Sequence, residues 1–384
     1  MDEWRSLRVV LVAPGFPVSD DDSDKPFLLD HAKALIAAGL QVTVVCPSLP
    51  GVPARQMIDQ IEIIRVRYAP RRMETLAATG SMYREARGLK ALLVPAMVGA
   101  MLVNVLRSVR RCKESTVVYG HWWMPGGLVA VLAARLTRRP SIVHLHGSDA
   151  AVAEGRVMKK LAQIVLRMAD QRLAASPELG KWASELCSQA VDALPMPLVF
   201  ERLPEPSPVP DHGFVLGVGR LVPEKGFDVL IDAIARFDEE QRPELVVVGV
   251  GPERQTLTQR AANLRVSLHL PGAVSPDELS NWYRKARIVV VPSRREGFGL
   301  VAAEAAAAGR AVVGTSVGGI PLVVESGRSG LIVEPGNVDA LHEALTEVNP
   351  DWGVNGPALV AHLGSTSHGQ FVRQLCDNLA EDDD

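Results

Sequence analysis

Short apolar runs bounded by turn residues alternate with helix-patterned segments twice along this chain, and prolines at 204, 206, 208 and 210 separate the two series. The first series has runs at 8–13, 41–45, 61–66, 116–119, 141–145 and 172–175. The second has them at 214–218, 245–248, 266–270, 288–291, 311–313 and 330–333. Most of these runs show no polar alternation, so the strands they predict are covered on both faces, as in parallel sheets flanked by helices. Between them lie segments such as 27–38, where Leu28, Ala32, Leu35 and Ile36 share a helical face and Gly39 is placed to end the helix. The fold class is α/β, with two doubly wound parallel sheets. A chain of 384 residues exceeds what one core usually organises, and 47% hydrophobic residues suffice for two. The expected domains are 1–203 and 212–350. A stiff proline-rich hinge occupies 204–211, and a terminal segment, 351–384, ends in an acidic run.

A net charge of −3 gives no general attraction for nucleic acid. Cys46, Cys112, Cys187 and Cys376 lie far apart and form no Cys-x-x-Cys pair, which points to a reducing compartment and away from structural zinc. The first apolar run is too short for a signal peptide and follows acidic residues, so a cytoplasmic location is expected. A dinucleotide cofactor is excluded by the first strand–helix turn, APGFPVSD, which lacks the three-glycine fingerprint. Gly217-x-Gly219 and Gly249-x-Gly251 are partial matches with Val222 and Arg254 in the third place. Asp20, Asp21 and Asp22 read as a solvated loop, and no metal ligand set is expected.

The chemistry concentrates in residues 292–309, PSRREGFGLVAAEAAAAG, which read as strand end, loop and alanine-rich helix. A helix N-terminus offers free N–H groups and a positive dipole end, and Gly299 lets an anion approach the backbone. That suits a diphosphate, with Glu296 and Glu304 beside it to accept hydrogen bonds from hydroxyls. Arg220 and Lys225 follow the first strand of the second series and share the same sheet edge. Cations there would stabilise the same diphosphate.

This stretch resembles the donor motif of the retaining glycosyltransferases of family 4 (glycosyl transferases group 1). The likeness continues through residues 217–234, 246–253, 270–293 and 318–337, nearly the whole C-terminal half. The resemblance implies the GT-B fold of two facing Rossmann-like domains, a last segment that returns to the first domain, and transfer of a hexose to an acceptor hydroxyl. The donor would be a UDP- or GDP-linked sugar, with no further cofactor. It assigns the diphosphate to Arg220 and Lys225, the donor-sugar hydroxyls to Glu296 and the ribose to Glu304. Gly219, Gly249, Gly251, Val274, Phe298, Gly299, Leu300 and Val301 would complete the donor site. Two departures stand out: the first loop runs Ser23-Asp24-Lys25-Pro26-Phe27 where many relatives carry adjacent glycines, and Leu322 replaces a common Glu.

In the first series, residues 120–136 and 143–149 leave strand ends at the edge where open parallel sheets bind ligands. His-Gly-Ser-Asp at 146–149 matches the family motif whose His approaches the donor sugar, so His146 joins Arg220, Lys225 and Glu296 as a catalytic candidate. His121 and His144 read as structural, although strand alternation puts His144 on the side of His146. The stretch 65–113 is basic and apolar together, with Arg84, Arg87 and Lys90 before the apolar run 91–106. It reads as a core helix or as a peripheral surface for anionic lipid at the inner face of the membrane. The expected partners are a nucleotide-sugar donor and a sugar or lipid-linked acceptor, in polysaccharide, glycolipid or glycoconjugate biosynthesis. A sugar-nucleotide epimerase and an inactive binding subunit are the alternatives. A phosphorylase would require a pyridoxal-phosphate lysine that the sequence does not identify.

Overall fold

A computed structural model describes residues 7–20, 22, 25–74, 76, 88–112 and 114–381. The chain divides into two compact units. The first runs to Pro197 and resumes at Ser365, and the second is Leu198–Gly364.

The first unit is built on eight strands: β1 Leu7–Val12, β2 Gln41–Pro47, β3 Arg55–Ile58, β4 Ile61–Val66, β5 Ser115–His121, β6 Ser141–Leu145, β7 Gln171–Ala174 and β8 Asp192–Ala193. Their order in the sheet is β3-β4-β2-β1-β5-β6-β7-β8, all parallel except β3, which pairs antiparallel with β4. Alternation along β1 explains its unbroken apolarity. Val9 and Leu11 face a core with Leu28, Leu35 and Val372, while Val10 and Val12 face Met97, Met101 and Val105 on the other side. Strand β3 escapes the sequence reading because it is a four-residue edge with an exposed Met57, turned back by Asp59 at φ 49°.

In the second unit the strands are β9 Phe214–Val218, β10 Leu245–Val248, β11 Leu268–Gly272, β12 Ala286–Val291, β13 Ala311–Thr315 and β14 Gly330–Val333. All run parallel in the order β11-β10-β9-β12-β13-β14. After β9 the chain moves toward β10, and after β12 it moves toward β13. The loops at the C-terminal ends of β9 and β12 therefore splay apart at a topological switch point, where open α/β sheets bind ligands.

The domain limits differ from those expected. Residues 204–211 are not a free hinge but part of the second unit, because the fully buried Arg310 collects them. Its guanidinium donates to the carbonyl of Ser207 at 3.1 Å, to that of Pro208 at 3.4 Å and to Ser207 Oγ at 2.5 Å. An extended proline-rich stretch pairs none of its own carbonyls, so it offers acceptors to such a cation. The second unit also keeps residues 351–364, and only the helix Ser365–Glu381 belongs to the first unit. That helix packs on Pro26–Ala37 through Val372 and Cys376, with Leu375 and Leu379 at its margin, while Phe371 is 43% exposed.

All but the first two residues of the run 91–106 lie in the helix Leu93–Arg111, with Pro95 accommodated in the first turn, where its missing N–H costs nothing. Met97, Met101, Val105 and Val109 are buried, and Leu92 and Val103 on the opposite side are exposed. By length and composition alone, Lys90–Arg111 is the one helix among the described residues that could cross a membrane. Arg84, Arg87 and Lys113 of the basic stretch lie outside the described residues.

Candidate active site

In the second unit, the loop after β9 carries Gly219, Arg220 and Lys225, and the loop after β12 carries Glu296 to Gly299. The switch point brings them together. Lys225 Nζ lies 2.5 Å from Glu296 Oε2, which also accepts from Ser293 Oγ at 3.1 Å, while the N–H of Gly297 donates to Oε1 at 3.2 Å. Both charged side chains stay partly open, 20% and 15% exposed. Lys225 has three donor protons and Glu296 takes one, so the ammonium keeps capacity for an anion. The Arg220 side chain is exposed and hydrogen-bonds to none of the described residues.

The loops are held close by glycine. Gly249, after β10, has φ 145°, and a Cβ there would meet the Gly219 carbonyl oxygen at 1.9 Å. Gly251, on the same turn, supports the same packing. Gly299 has φ 94° and precedes the helix Leu300–Ala307. A Cβ on it would strike Ile320 Cγ1 at 2.6 Å, so only glycine permits this approach. The first N–H groups of that helix, at Leu300 and Val301, have no partner within the helix, and Phe298 is buried beside them. Its alanines, Ala302, Ala303, Ala305 and Ala306, are buried, which lets the helix sit close on β12 and β13. Val274 lies just past β11, half-buried.

Glu304 is on the same helix, and Tyr283 donates to its Oε2 at 2.8 Å. Tyr283 is fully buried in the helix Pro276–Lys285, and burial followed by the Glu304 charge pushes its phenol well above the usual range. Sequence reasoning did not find this residue. The available signal was a tyrosine on an inward-facing position, whose hydroxyl needs a partner when buried. Ser293 went unnoticed for the same reason: a small residue beside the motif gives no sign of its contact.

The first unit places His146 at the end of β6, with His121 at the end of β5. His121 Nδ1 is 3.0 Å from His146 Nε2, and the His144 and His146 rings stack with centroids 4.9 Å apart. His144 is satisfied, with Tyr119 Oη 2.8 Å from Nδ1 and the Leu194 carbonyl 2.8 Å from Nε2. Burial lowers His146 to about 3 and pushes the Asp149 carboxyl up to about 7. Asp149 is nevertheless fully engaged. It accepts from the N–H of His146 at 2.5 Å and that of Trp123 at 2.7 Å, and so anchors the loop that presents His146. Asp20 instead pairs with Lys33 and Asp22 accepts from the Val18 N–H, while Asp21, Ser23 and Asp24 lie outside the described residues.

Comparison with known proteins bears on both units. Residues 26–199 match the family model described as glycosyl transferase 4-like domain, and residues 200–354 match that of glycosyl transferases group 1. An uncharacterized glycosyltransferase of Methanocaldococcus jannaschii is 30% identical over 252 residues, 64% of this chain and 70% of that protein. A D-inositol 3-phosphate glycosyltransferase of Streptomyces bingchenggensis is 32% identical over 288 residues, 65% of this chain, and the match spans 61% of that relative's length. Among solved structures, Anabaena HepE in complex with UDP-glucose superposes with a TM-score of 0.72 at 17% identity, covering 97% of this chain and 99% of that one. That likeness is one of fold, GT-B.

Proposed function

Because this chain belongs to the glycosyl transferases group 1, we propose that it is a retaining hexosyltransferase that moves a sugar from a UDP- or GDP-linked donor to an acceptor hydroxyl. The observation that carries the reading is the Lys225–Glu296 pair at the switch point, with the exposed Arg220 on the same loop as Lys225 and the helix start at Gly299 on that of Glu296. A cation with spare donors, a second free cation and a helix N-terminus form a receptor for a leaving diphosphate. Glu296, held by Ser293 and Lys225, is left to accept from donor-sugar hydroxyls. Glu304 accepts from the ribose while Tyr283 fixes its second oxygen.

In this reading His146 stabilises the donor sugar as charge develops on it, and burial keeps its imidazole neutral. The leaving phosphate takes the acceptor proton as the acceptor attacks from the face of departure. No cofactor is needed, and chelation with EDTA does not lower turnover. UDP is favoured as the nucleotide by the UDP-glucose complex of HepE, and an inositol phosphate joins sugars and lipid-linked acceptors as a candidate by the name of the Streptomyces relative.

A second element concerns location. The helix Leu93–Arg111 has an apolar outer side at Leu92 and Val103 and ends in the exposed Arg107, Arg110 and Arg111. This combination supports peripheral contact with anionic lipid from the cytoplasmic face.

Thermal shift against UDP, GDP and ADP, followed by transfer assays with the matching sugars, tests the proposal. A ligand at 100 times its dissociation constant raises stability by about 2.7 kcal/mol. Stabilisation without transfer or donor hydrolysis would favour an inactive binding subunit, and inversion at a sugar carbon other than the anomeric one would favour an epimerase.

A further inference from the structure

Five of the chain's nine histidines, His31, His121, His144, His146 and His368, are buried together in the first unit. The donor reading uses only His146. His31 Nδ1 lies 2.7 Å from His368 Nε2, and His31 stands edge-on to His121 with ring centroids 4.9 Å apart. Within this group, one nitrogen from each of His121, His144 and His146 lies within 4.8 Å of the other two.

The geometry points to a binding site for a borderline divalent transition-metal ion, Zn²⁺ being the fitting occupant, held by His121, His144 and His146. Three imidazole nitrogens form a donor set that suits zinc and its neighbours, whereas Mg²⁺ and Ca²⁺ demand oxygen. His144 is already arranged as a ligand. Its Nε2–H donates to the Leu194 carbonyl, which leaves the lone pair on Nδ1, and metal-bound histidines are commonly oriented by such a bond on the second nitrogen. Tyr119 now donates to that lone pair and would turn away. His121 and His146 share one proton across 3.0 Å. If His121 carries its proton on Nε2 and His146 on Nδ1, both facing nitrogens present lone pairs without any net proton loss.

His121 Nε2 and His31 Nε2 are both buried and have no hydrogen-bond partner among the described residues. In the tautomer given above, His121 Nε2 keeps its proton and stays unpaired when the ion binds Nδ1, so the site rests on the three converging nitrogens. An ion bound here would withdraw His146 from the donor sugar and inhibit transfer. That consequence rests on the function proposed above, but the site itself does not.

The test loads the full chain with Zn²⁺, removes excess by gel filtration and measures retained metal. The expected result is one equivalent with nitrogen-dominated coordination by X-ray absorption, and a tetrahedral visible spectrum when Co²⁺ replaces it. His121→Gln and His144→Asn should each weaken affinity on the order of tenfold or more, with folding checked by circular dichroism. The unmodified protein decides the matter even if a variant fails to fold. No retained metal in the folded chain, or sulfur-dominated coordination, overturns the site, as does equal affinity in both folded variants. Zn²⁺ bound with nitrogen coordination but without loss of turnover would instead overturn the donor role of His146.

Discussion

Lys225 Nζ stands 2.5 Å from Glu296 Oε2, joining residues 71 positions apart on the loops that follow the two strands flanking the switch point of the second sheet. In the proposed function the cation serves the diphosphate and the carboxylate serves the donor sugar. As a pair they fix each other's position before any ligand arrives, which reduces the reorganisation left for the reaction. The pair is partly exposed, so its own contribution to stability is small and its importance lies in this placement.

Removing either cation should therefore affect chemistry more than folding. Arg220→Ala and Lys225→Ala are each expected to lower turnover by roughly 10²-fold. Lys225→Ala should also raise KM for the donor, because Glu296 loses the partner that orients it. Steady-state kinetics with a circular dichroism check on the fold would measure both effects. Unchanged turnover in a folded double variant would remove these residues from the mechanism.

Tyr283→Phe probes Glu304 without touching its charge. A hydrogen bond to a carboxylate is worth about 1.5–3 kcal/mol, so losing it should weaken nucleotide binding by about tenfold or more and leave kcat nearly intact. Nucleotide affinity by calorimetry and kcat under saturating donor separate the two quantities. Equal loss in both would mean that Tyr283 supports the fold and not the ribose contact.

Much of this arrangement was legible in the sequence for a physical reason. Strands covered on both faces are continuous apolar runs, and turns that bring loops together need glycine, so the positions of β9, β12, Gly249 and Gly299 are written locally. Tyr283 and Ser293 are not, because their value comes from contacts made only after the sheet forms. The same holds for Arg310, which draws the proline-rich stretch into the second unit. His31 and His368 meet across 337 positions, and no local pattern announces such a pair.

The histidine group should make the first unit acid-sensitive. Burial holds His146 at about 3 and His368 at about 4, and it lowers His31, His121 and His144 well below their ordinary value. Groups with depressed folded values bind protons more readily when unfolded. Their contribution to stability is full above about pH 6.5 and is lost as the pH falls toward 3. Asp149, raised to about 7 by burial, acts in the opposite direction between about 4 and 7, but it is one group against five. The melting temperature should fall steadily from pH 7 to pH 5, with Trp122 and Trp123 as fluorescent reporters beside the cluster. A flat profile over that range would mean that water or rearrangement relieves the burial.

The last prediction concerns stereochemistry. Retention by double displacement needs a carboxylate free to attack the anomeric carbon from the face opposite the leaving group. Asp149 is the nearest carboxylate to His146 in sequence, but it is 1% exposed and its two oxygens are taken by the His146 and Trp123 N–H groups. Using it as a nucleophile would break the loop it anchors. Glu296 is tied to Lys225, Ser293 and the Gly297 N–H, a set that suits accepting from hydroxyls. Same-face attack is thus expected, and His146→Ala should reduce turnover strongly while the product keeps the donor's anomeric configuration. Intact-protein mass spectrometry during turnover of a slow donor analogue should find no added sugar. A covalent adduct mapped to Asp149 or Glu296 would replace this mechanism with double displacement.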